Sequence, residues 1–400
     1  MAWTIIRDAL LALAAAPFVY YALAIIAAGR FFRGKAAADD GASAGFAPPV
    51  SILKPIRGLD REAYENYASF CRQDYPEFEI LFAVSDETDP AIPVIEQIIR
   101  DFSGPASAGA TASPKITVRL VVGSEPLGAS DKVNKLCRMA REARHDTIIV
   151  SDSDVRVAPG FLRAVVGPFR NPKVGGVTCL YRGLTDGSFP ATLEALGNSV
   201  DFAPGVLVAW LLGDLDFMLG AVMATTKKHL AEIGGFESLV DYFCDDYELG
   251  NRLAARGYAV ELIRFPVDIV YPKETLADAF RHQVRWNLSI RYSRPWGHLG
   301  LVFTQGLAWS LVGVALAHSW IGFFGFVAGY TLLRYEVALS TGARGMEDPI
   351  AKRKLSLLPL RDAFAFIVWV ASFFPQRIHW RDRQFYVRDK RLVPVSPRQP

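Results

Sequence analysis

The sequence predicts an α/β domain with a mostly parallel sheet, flanked by transmembrane helices at its N-terminal and C-terminal ends. Three observations predict this architecture. Of the 400 residues, 51% are hydrophobic, which is a high share for a purely soluble protein. Long apolar stretches lie near both ends of the chain. Between them, short apolar segments alternate with segments of helical periodicity, as in a parallel sheet covered on both faces.

The first predicted element, residues 1–35, is a signal anchor that stays in the membrane. Residues 9–28 are uncharged and apolar, and a spanning helix needs about 20 such residues. Arg30, Arg33 and Lys35 follow them, whereas a cleavable signal peptide carries its positive charge before a shorter apolar core. Because positive residues favour the inner side of a membrane, we expect the N-terminus outside and the following domain in the cytoplasm.

Residues 36–47 are small and Gly-rich, which predicts a flexible linker, and the α/β domain follows over residues 48–297. The pattern predicts strands at residues 50–53, 80–84, 118–122 and 148–150 and a helix at residues 131–144. Ligands of such sheets bind beyond the carboxyl ends of the strands. Acidic residues directly after an apolar strand are therefore the first candidates for a binding site.

The C-terminal region, residues 298–376, is predicted to return to the membrane. Residues 299–317 and 320–333 indicate a hairpin of two spans, and the basic residues after it agree with a cytoplasmic return. The next apolar run, residues 363–374, fits a tilted third span, a re-entrant piece or an interfacial piece. The basic tail, residues 377–400, favours contact with anionic lipid on the cytoplasmic side, whereas three full spans would put it outside.

One more apolar stretch, residues 202–212, lies inside the predicted α/β domain and contains a Pro-Gly pair. It has two interpretations of equal weight. It is either an in-plane segment beside the entrance for a membrane-bound substrate or a buried core helix of the soluble domain.

Net charge and cysteine content exclude several classes of function. The formal net charge is only +3, so no overall field favours nucleic acid. The four cysteines are widely spaced without a C-x-x-C pair, which argues against a zinc site and a disulfide framework. We expect reduced thiols in a cytoplasmic domain.

Two acidic clusters follow predicted strands. Asp86 comes directly after the strand that ends at Val84 and is placed to accept hydrogen bonds from a ribose or a base, although a turn-forming Asp is common there. Asp152 and Asp154 form a D-x-D pair after the strand at residues 148–150. Because two such carboxylates repel each other, a divalent cation bridging to a pyrophosphate, Mg²⁺ or Mn²⁺, is the favoured occupant.

Two further clusters begin or occupy helices. Asp245 and Asp246 open a helical stretch, where acidic residues also serve as caps; we choose Asp246 as a general base and Asp245 as its support. His282, Arg285 and Trp286 lie in a helical stretch before the predicted hairpin, with His282 and Trp286 on one face. An arginine can stabilise a diphosphate, and a tryptophan can line a pocket for a sugar or a lipid. A juxtamembrane anchor has the same composition.

These clusters occur in an order that resembles the ceramide glucosyltransferase family, and the likeness covers nearly the whole chain. Relatives of that family share a series of three aspartates and a Gln/Arg-x-x-Arg-Trp motif on a GT-A fold. The matching segments are Ser51-Ile52-Leu53-Lys54-Pro55, Asp74-Tyr75-Pro76, Asp86 with Asp89-Pro90-Ala91, Lys132-Val133-Asn134, Asp152-Ser153, Asp245-Asp246-Tyr247 and Trp380-Arg381-Asp382-Arg383.

The resemblance implies a membrane-bound inverting hexosyltransferase that moves glucose from UDP-glucose to ceramide or a similar lipid hydroxyl at the cytoplasmic face. It implies that Lys54, Pro55, Asp86, Lys132 and Asp152 bind the donor. Asp152, with Asp154 as the weaker ligand, would hold the metal. Asp246 would be the base, and His282, Arg285 and Trp286 would form the fourth motif.

One position departs from the ceramide enzymes, because His282 stands where they carry Gln or Arg. A histidine there resembles the bacterial hopanoid-pathway glycosyltransferases of the same family. That alternative implies transfer of N-acetylglucosamine to a hopanoid polyol, in a bacterial inner membrane.

Two rival classes are less consistent with the sequence. A non-enzymatic membrane scaffold does not require the series of aspartates. A processive polysaccharide synthase needs a transmembrane channel, and three or four spans are too few to build one.

Overall fold

The computed structural model describes residues 1–33, 45–103, 115–213, 215–317, 319–374, 377–380 and 383–395. Most of the predicted linker, residues 36–44, lies outside the described residues, as do Arg381 and Asp382 of the C-terminal motif. The chain forms two compact units. The helical unit comprises Met1–Lys35, Thr185–Asp214 and Lys273–Gln376, and the sheet unit comprises Ala36–Leu184, Leu215–Pro272 and Arg377–Pro400.

The strands all belong to the sheet unit. They are β1 Val50–Pro55, β2 Glu77–Val84, β3 Lys115–Val122, β4 Thr147–Ser151, β5 Val155–Arg156, β6 Val174–Leu184, β7 Val222–Thr226, β8 Ala259–Val270, β9 Ile378–Trp380, β10 Arg383–Arg388 and β11 Arg391–Pro394.

The helices occur in both units. They are α1 Ala2–Ala14, α2 Ala16–Phe32, α3 Ala63–Cys71, α4 Ile92–Phe102, α5 Asp131–Glu142, α6 Phe161–Val166, α7 Phe189–Gly197, α8 Ala203–Leu211, α9 Lys227–Glu232, α10 Asp245–Ala255, α11 Leu276–Ser293, α12 Pro295–Gly300, α13 Gly306–Leu316, α14 Trp320–Val337, α15 Pro349–Arg353 and α16 Leu358–Ala371.

The first eight strands form one sheet in the order β3-β2-β1-β4-β7-β6-β8-β5. Strands β1 to β4 are parallel, β7 is antiparallel to both of its neighbours, and β6 and β8 are parallel. This confirms the mostly parallel sheet and its four predicted strands. Strand β1 is buried along its whole length because it lies between β2 and β4, which explains its apolar sequence. The carboxyl ends of β2, β1 and β4 therefore lie side by side.

The described part of the basic tail forms a second sheet rather than an irregular segment. Strands β9, β10 and β11 pair antiparallel in the order β11-β10-β9. Asp389 and Lys390 form the turn between β10 and β11, with φ angles of 50° and 63°. Phe385 and Leu392 are buried, so the strands keep the period-two alternation of a sheet with one covered face.

In the helical unit, the segment Ala2–Phe32 is long and apolar enough to cross a membrane. The segments Pro295–Thr304 and Gly306–Leu316 pass the same test together, with a bend of 52° between them. Among the described residues, this gives one candidate span, or two if the bent pair counts as one. The expected second arm of the hairpin forms α14 and the third apolar run forms α16. Their insertion in a membrane stays a prediction.

The two units do not follow the predicted domain boundaries, because residues 185–214 and 273–297 belong to the helical unit. The apolar stretch at residues 202–212 explains part of the difference. It forms α8, and Trp210 makes an edge contact with Phe31 of α2, with the ring centroids 5.1 Å apart. This helix therefore packs on the N-terminal apolar helix and not in the core of the sheet.

A buried network of charges connects the helices of the helical unit. The Arg334 guanidinium of α14 bonds Asp362 of α16 at 2.6 Å and Asp201 at 2.5 Å. Arg361 also bonds Asp201, at 2.6 Å. Two arginines thus balance two carboxylates, and the Arg334 side chain is only 3% exposed. Each charge depends on its partner because ions away from water are costly.

Replacement of Arg334 by Leu removes the cation that balances Asp362. We expect the free energy of unfolding to fall by about 3 to 5 kcal/mol, because a buried carboxylate then lacks its counter-ion. The matched control is Arg344→Leu, since Arg344 pairs with Glu336 at the surface and exposed pairs contribute at most about 1 kcal/mol. Unfolding in detergent micelles measures both, and equal losses would contradict the assignment.

Candidate active site

The D-x-D segment follows β4 at the carboxyl edge of the sheet, and Lys54 of the neighbouring strand β1 contacts its main chain. The Lys54 ammonium donates to the main-chain oxygen of Asp152 at 2.8 Å and lies 3.8 Å from the centre of the Phe70 ring. Lys54 is fully buried, and burial lowers its pKa to about 7. The negative charges of Asp154 and Asp152 act in the other direction, but their effect on the pKa is smaller. Lys54 thus contacts the main chain of the D-x-D segment, and its role in donor binding stays a prediction.

Lys132 joins the two predicted acidic clusters. It lies in the first turn of α5, where the Ser130 hydroxyl caps the helix by accepting from Val133 N. The Lys132 ammonium is 2.9 Å from Asp152 Oδ1 and 3.3 Å from Asp245 Oδ2. Burial lowers the pKa of Lys132, but these carboxylates more than offset it, so the pKa lies above its usual range.

Asp245 and Asp246 begin α10, as the sequence predicts. The Tyr247 amide donates to Asp246 Oδ1 at 2.8 Å. Burial and the neighbouring charge of Asp245 raise the pKa of Asp246 to about 6, with Lys132 acting in the opposite direction. A carboxylate with this pKa is ionised at neutral pH and is basic enough to take a proton from a hydroxyl group in a transition state.

Gly220 lies against two of these carboxylates, and sequence reasoning missed it. A β-carbon added at Gly220 would be 3.1 Å from Asp246 Oδ2 and 3.6 Å from Asp152 Oδ2. The absence of a side chain therefore keeps space free beside both groups. Gly220 follows the isolated bridge residue Leu219 before β7, and nothing in the local sequence distinguishes it from other turn glycines.

The D-x-D segment places two carboxylates, Asp152 and Asp154, directly after β4. Burial, and then the charges of Asp152 and Asp60, raise the pKa of Asp154 to about 7, so negative charge is in excess at this point. Within the described residues, no group of three or more His, Cys, Asp or Glu side chains is arranged to hold a metal ion. The protein side chains alone therefore supply an incomplete ligand set.

Asp86 follows β2 at the same edge of the sheet and is exposed. It accepts hydrogen bonds from the amide and the hydroxyl of Thr88, and these bonds lower its pKa. Beside it, Ser85 donates to Asp131 at 2.7 Å and Lys135 pairs with Asp131 at 2.8 Å. This small polar cluster was not predicted. Pro55 is the buried last residue of β1.

The predicted fourth motif lies on α11, in the helical unit. The His282 and Trp286 rings are in edge contact with centroids 4.9 Å apart, so they share one face of the helix as expected. His282 Nδ1 donates to Glu194 Oε1 at 2.5 Å. The Nδ1 proton therefore faces Glu194, and Nε2 is the other nitrogen of the ring. Arg285 is partly buried on the same helix.

Glu194 is fully buried and was not among the predicted residues. Its Oε1 atom also accepts from Gln283 Nε2 at 3.0 Å. Glu274 hydrogen-bonds to Glu194, and burial together with this contact raises the pKa of Glu274 to about 8. Glu274 is thus protonated at neutral pH and donates. Glu194 is the charged residue of the apolar helix α7, and a charged residue in such a helix indicates a buried partner. This pattern could have predicted Glu194 from the sequence.

Comparison with known proteins identifies the family. The model of glycosyl transferase family 21 matches residues 9–393. The chain belongs to glycosyl transferase family 21. "Ceramide glucosyltransferase 1" of Caenorhabditis elegans is 29% identical over 240 residues, which are 60% of this chain and 49% of the relative. "Ceramide glucosyltransferase" of Gibberella zeae is 32% identical over 146 residues, which are 34% of this chain and 26% of the relative.

The matches therefore span half or less of these family 21 relatives. A solved structure supports the fold. The mannosyltransferase PcManGT of Pyrobaculum calidifontis, in complex with GDP-Man and Mn²⁺, has a TM-score of 0.52 and 17% identity, and the match covers 92% of this chain and 99% of that chain. The expected GT-A-like architecture of the sheet unit is confirmed by this neighbour.

Replacement of Gly220 by Ala places a carbon against Asp246 and Asp152. We expect sugar transfer to slow by roughly 10-fold with little loss of stability, because the contact at 3.1 Å displaces Asp246 by a few tenths of an ångström, and a displacement of about 1 Å costs roughly 100-fold. In the control Gly160→Ala, the added carbon lies 3.7 Å from Phe265, an ordinary contact. Transfer rates and melting temperatures of both variants test this, and an unchanged rate in Gly220→Ala would refute the tight fit.

Proposed function

We propose that this member of family 21 transfers a hexose from a UDP-sugar to a hydroxyl group of a membrane lipid, with inversion at the anomeric carbon. The observation that carries the proposal is Asp246, whose pKa of about 6 suits a general base, beside the space that Gly220 leaves open. Glucose from UDP-glucose and ceramide as acceptor are the first choice, because the similar proteins are named ceramide glucosyltransferases.

In this mechanism Asp246 removes the proton of the acceptor hydroxyl. The acceptor oxygen forms a bond to the anomeric carbon while the bond from that carbon to the diphosphate oxygen breaks, and UDP leaves with the electron pair. Lys132 offers a positive charge to the leaving diphosphate. Asp86 binds the nucleoside portion at the ends of the strands. Lys54 acts indirectly by fixing the main chain at Asp152.

A divalent metal ion fits this proposal. Asp152 and, more weakly, Asp154 would hold Mg²⁺ or Mn²⁺, which would neutralise charge on the diphosphate. His282, Arg285 and Trp286 are proposed to serve as the fourth motif of the family. Glu194 supports that proposal, because it fixes which nitrogen of His282 carries the proton.

The apolar segments support a membrane-bound protein. We propose that the N-terminal helix anchors the chain, that the catalytic domain is cytoplasmic, and that α13 and α14 return to the membrane as a hairpin. A bacterial inner membrane is the proposed location.

A second candidate reaction is transfer of N-acetylglucosamine to a hopanoid polyol. The observation that favours it is His282, which stands where the ceramide enzymes carry Gln or Arg. Donor and acceptor must therefore both be varied in the assay.

Asp246→Asn removes the proposed base and keeps the shape of the side chain. We expect the transfer rate to fall by about 100-fold or more, because general bases contribute roughly that factor. The assay supplies UDP-glucose or UDP-N-acetylglucosamine with ceramide or a hopanoid polyol and detects the glycolipid. The wild-type rate should decline below pH about 6, because a protonated Asp246 cannot accept a proton.

Asp101→Asn is the control, since Asp101 is an exposed carboxylate bonded to Tyr64. A glycolipid that forms equally well with Asp246→Asn would exclude Asp246 as the base. No product from any of the four pairs with folded wild-type protein would exclude both reactions and favour the scaffold.

Removal of divalent metal tests the proposed cofactor. We expect a chelator to abolish transfer and added Mg²⁺ or Mn²⁺ to restore it, because the ion neutralises the leaving diphosphate. Asp152→Asn should require a higher metal concentration for half-maximal rate than wild type, and Asp154→Asn should show a smaller increase. Full activity after chelation would exclude a role for the metal in transfer. Lys132 would then be the charge that neutralises the leaving diphosphate.

A further inference from the structure

The three-stranded C-terminal sheet contacts the segment that leads into Asp245 and Asp246. Main-chain hydrogen bonds connect Phe243 N to Lys390 O at 3.0 Å and Leu392 N to Asp241 O at 2.7 Å. Tyr242 and Arg391 form an isolated antiparallel bridge. The segment at residues 241–243 is thus joined to the start of β11 by one antiparallel bridge and two main-chain hydrogen bonds.

Side chains of the same turn reach the first turn of α10. The Lys390 ammonium is 3.3 Å from Glu248 Oε1 and lies 5.2 Å from the centre of the Tyr247 ring. Glu248 is buried, so its charge needs a partner, and Arg252 is the second cation beside it at 3.4 Å. Tyr247 stacks on Phe217 and gives its amide hydrogen to Asp246.

The other side of the same segment contacts the helix that carries Lys132. The Ser130 amide donates to Val240 O at 2.8 Å, and the Ala129 amide donates to Asp241 Oδ1 at 2.9 Å. Residues 240–248 therefore lie between the start of α5 and the C-terminal sheet. Hydrogen bonds therefore connect this segment both to the start of α5 and to the sheet.

We propose that Lys390, in the turn between β10 and β11, is a positioning residue for Asp246. It acts through Glu248 and Tyr247, and it does not contact the reacting atoms. This inference rests on the proposed function of Asp246, but the contacts on which it is built do not depend on the identity of the sugar or the lipid.

Lys390→Met keeps the aliphatic part of the side chain and removes its charge. We expect kcat to fall by roughly 10-fold with the KM for the donor changed by less than about 2-fold, because a displaced base slows the chemical step and leaves donor binding intact. Lys390→Arg should restore most of the rate, since it keeps a cation beside Glu248.

Arg388→Met is the matched control. Arg388 is the last residue of β10, and its side chain is 86% exposed and lies 3.9 Å from Asp389. The substitution Arg388→Met removes a positive charge from the same hairpin but changes no contact with residues 241–248. We expect wild-type kcat, which would separate a specific effect of Lys390 from the general charge of the tail.

Hydrogen exchange of the full-length protein tests the contact without any assay of activity. In Lys390→Met the amides of residues 241–248 should exchange faster than in wild type, and in Arg388→Met they should not. Faster exchange with unchanged kcat would overturn the positioning role, and unchanged exchange would overturn the contact itself. If the wild-type protein transfers no sugar with any donor, the proposed function is wrong. The exchange rates still show whether Lys390 stabilises residues 241–248.

Discussion

The Lys132 ammonium is the group on which the rest of the candidate site depends. Asp152 at the end of β4 and Asp245 at the start of α10 are 93 residues apart in the chain, yet both form an ion pair with this one cation. Two partly buried carboxylates beside each other would otherwise repel. The cation offsets this repulsion and so brings the end of the sheet to the start of the helix that carries Asp246.

Lys132 has this effect only because its own position is fixed. The Ser130 hydroxyl caps helix α5, and the Ser130 amide donates to the loop before α10. That loop pairs in turn with β11 of the C-terminal sheet. The end of β4, α5, the loop and the tail thus form a closed set of contacts within the sheet unit. Rigid support of this kind is what a catalytic carboxylate needs to stay near its productive position.

The sequence predicts the sheet well because parallel strands buried on both faces are continuous apolar runs, as in β1 and β4. The same runs predict Asp86 and Asp152, which directly follow strands. Three features were beyond that reasoning. Gly220 resembles any turn glycine, and Glu194 lies 88 residues from its partner His282. The C-terminal strands are short and basic, so their composition hides the alternation of Phe385 and Val387 with exposed residues.

The two adjacent aspartates at the start of α10 have different surroundings, and this separates their chemistry. Asp245 is buried and forms an ion pair with Lys132. Asp246 accepts the amide hydrogen of Tyr247 and lies beside Gly220. The start of a helix favours negative charge, whereas burial and Asp245 oppose it. The balance leaves the pKa of Asp246 at about 6, close enough to neutrality for a carboxylate that must be ionised and still accept a proton.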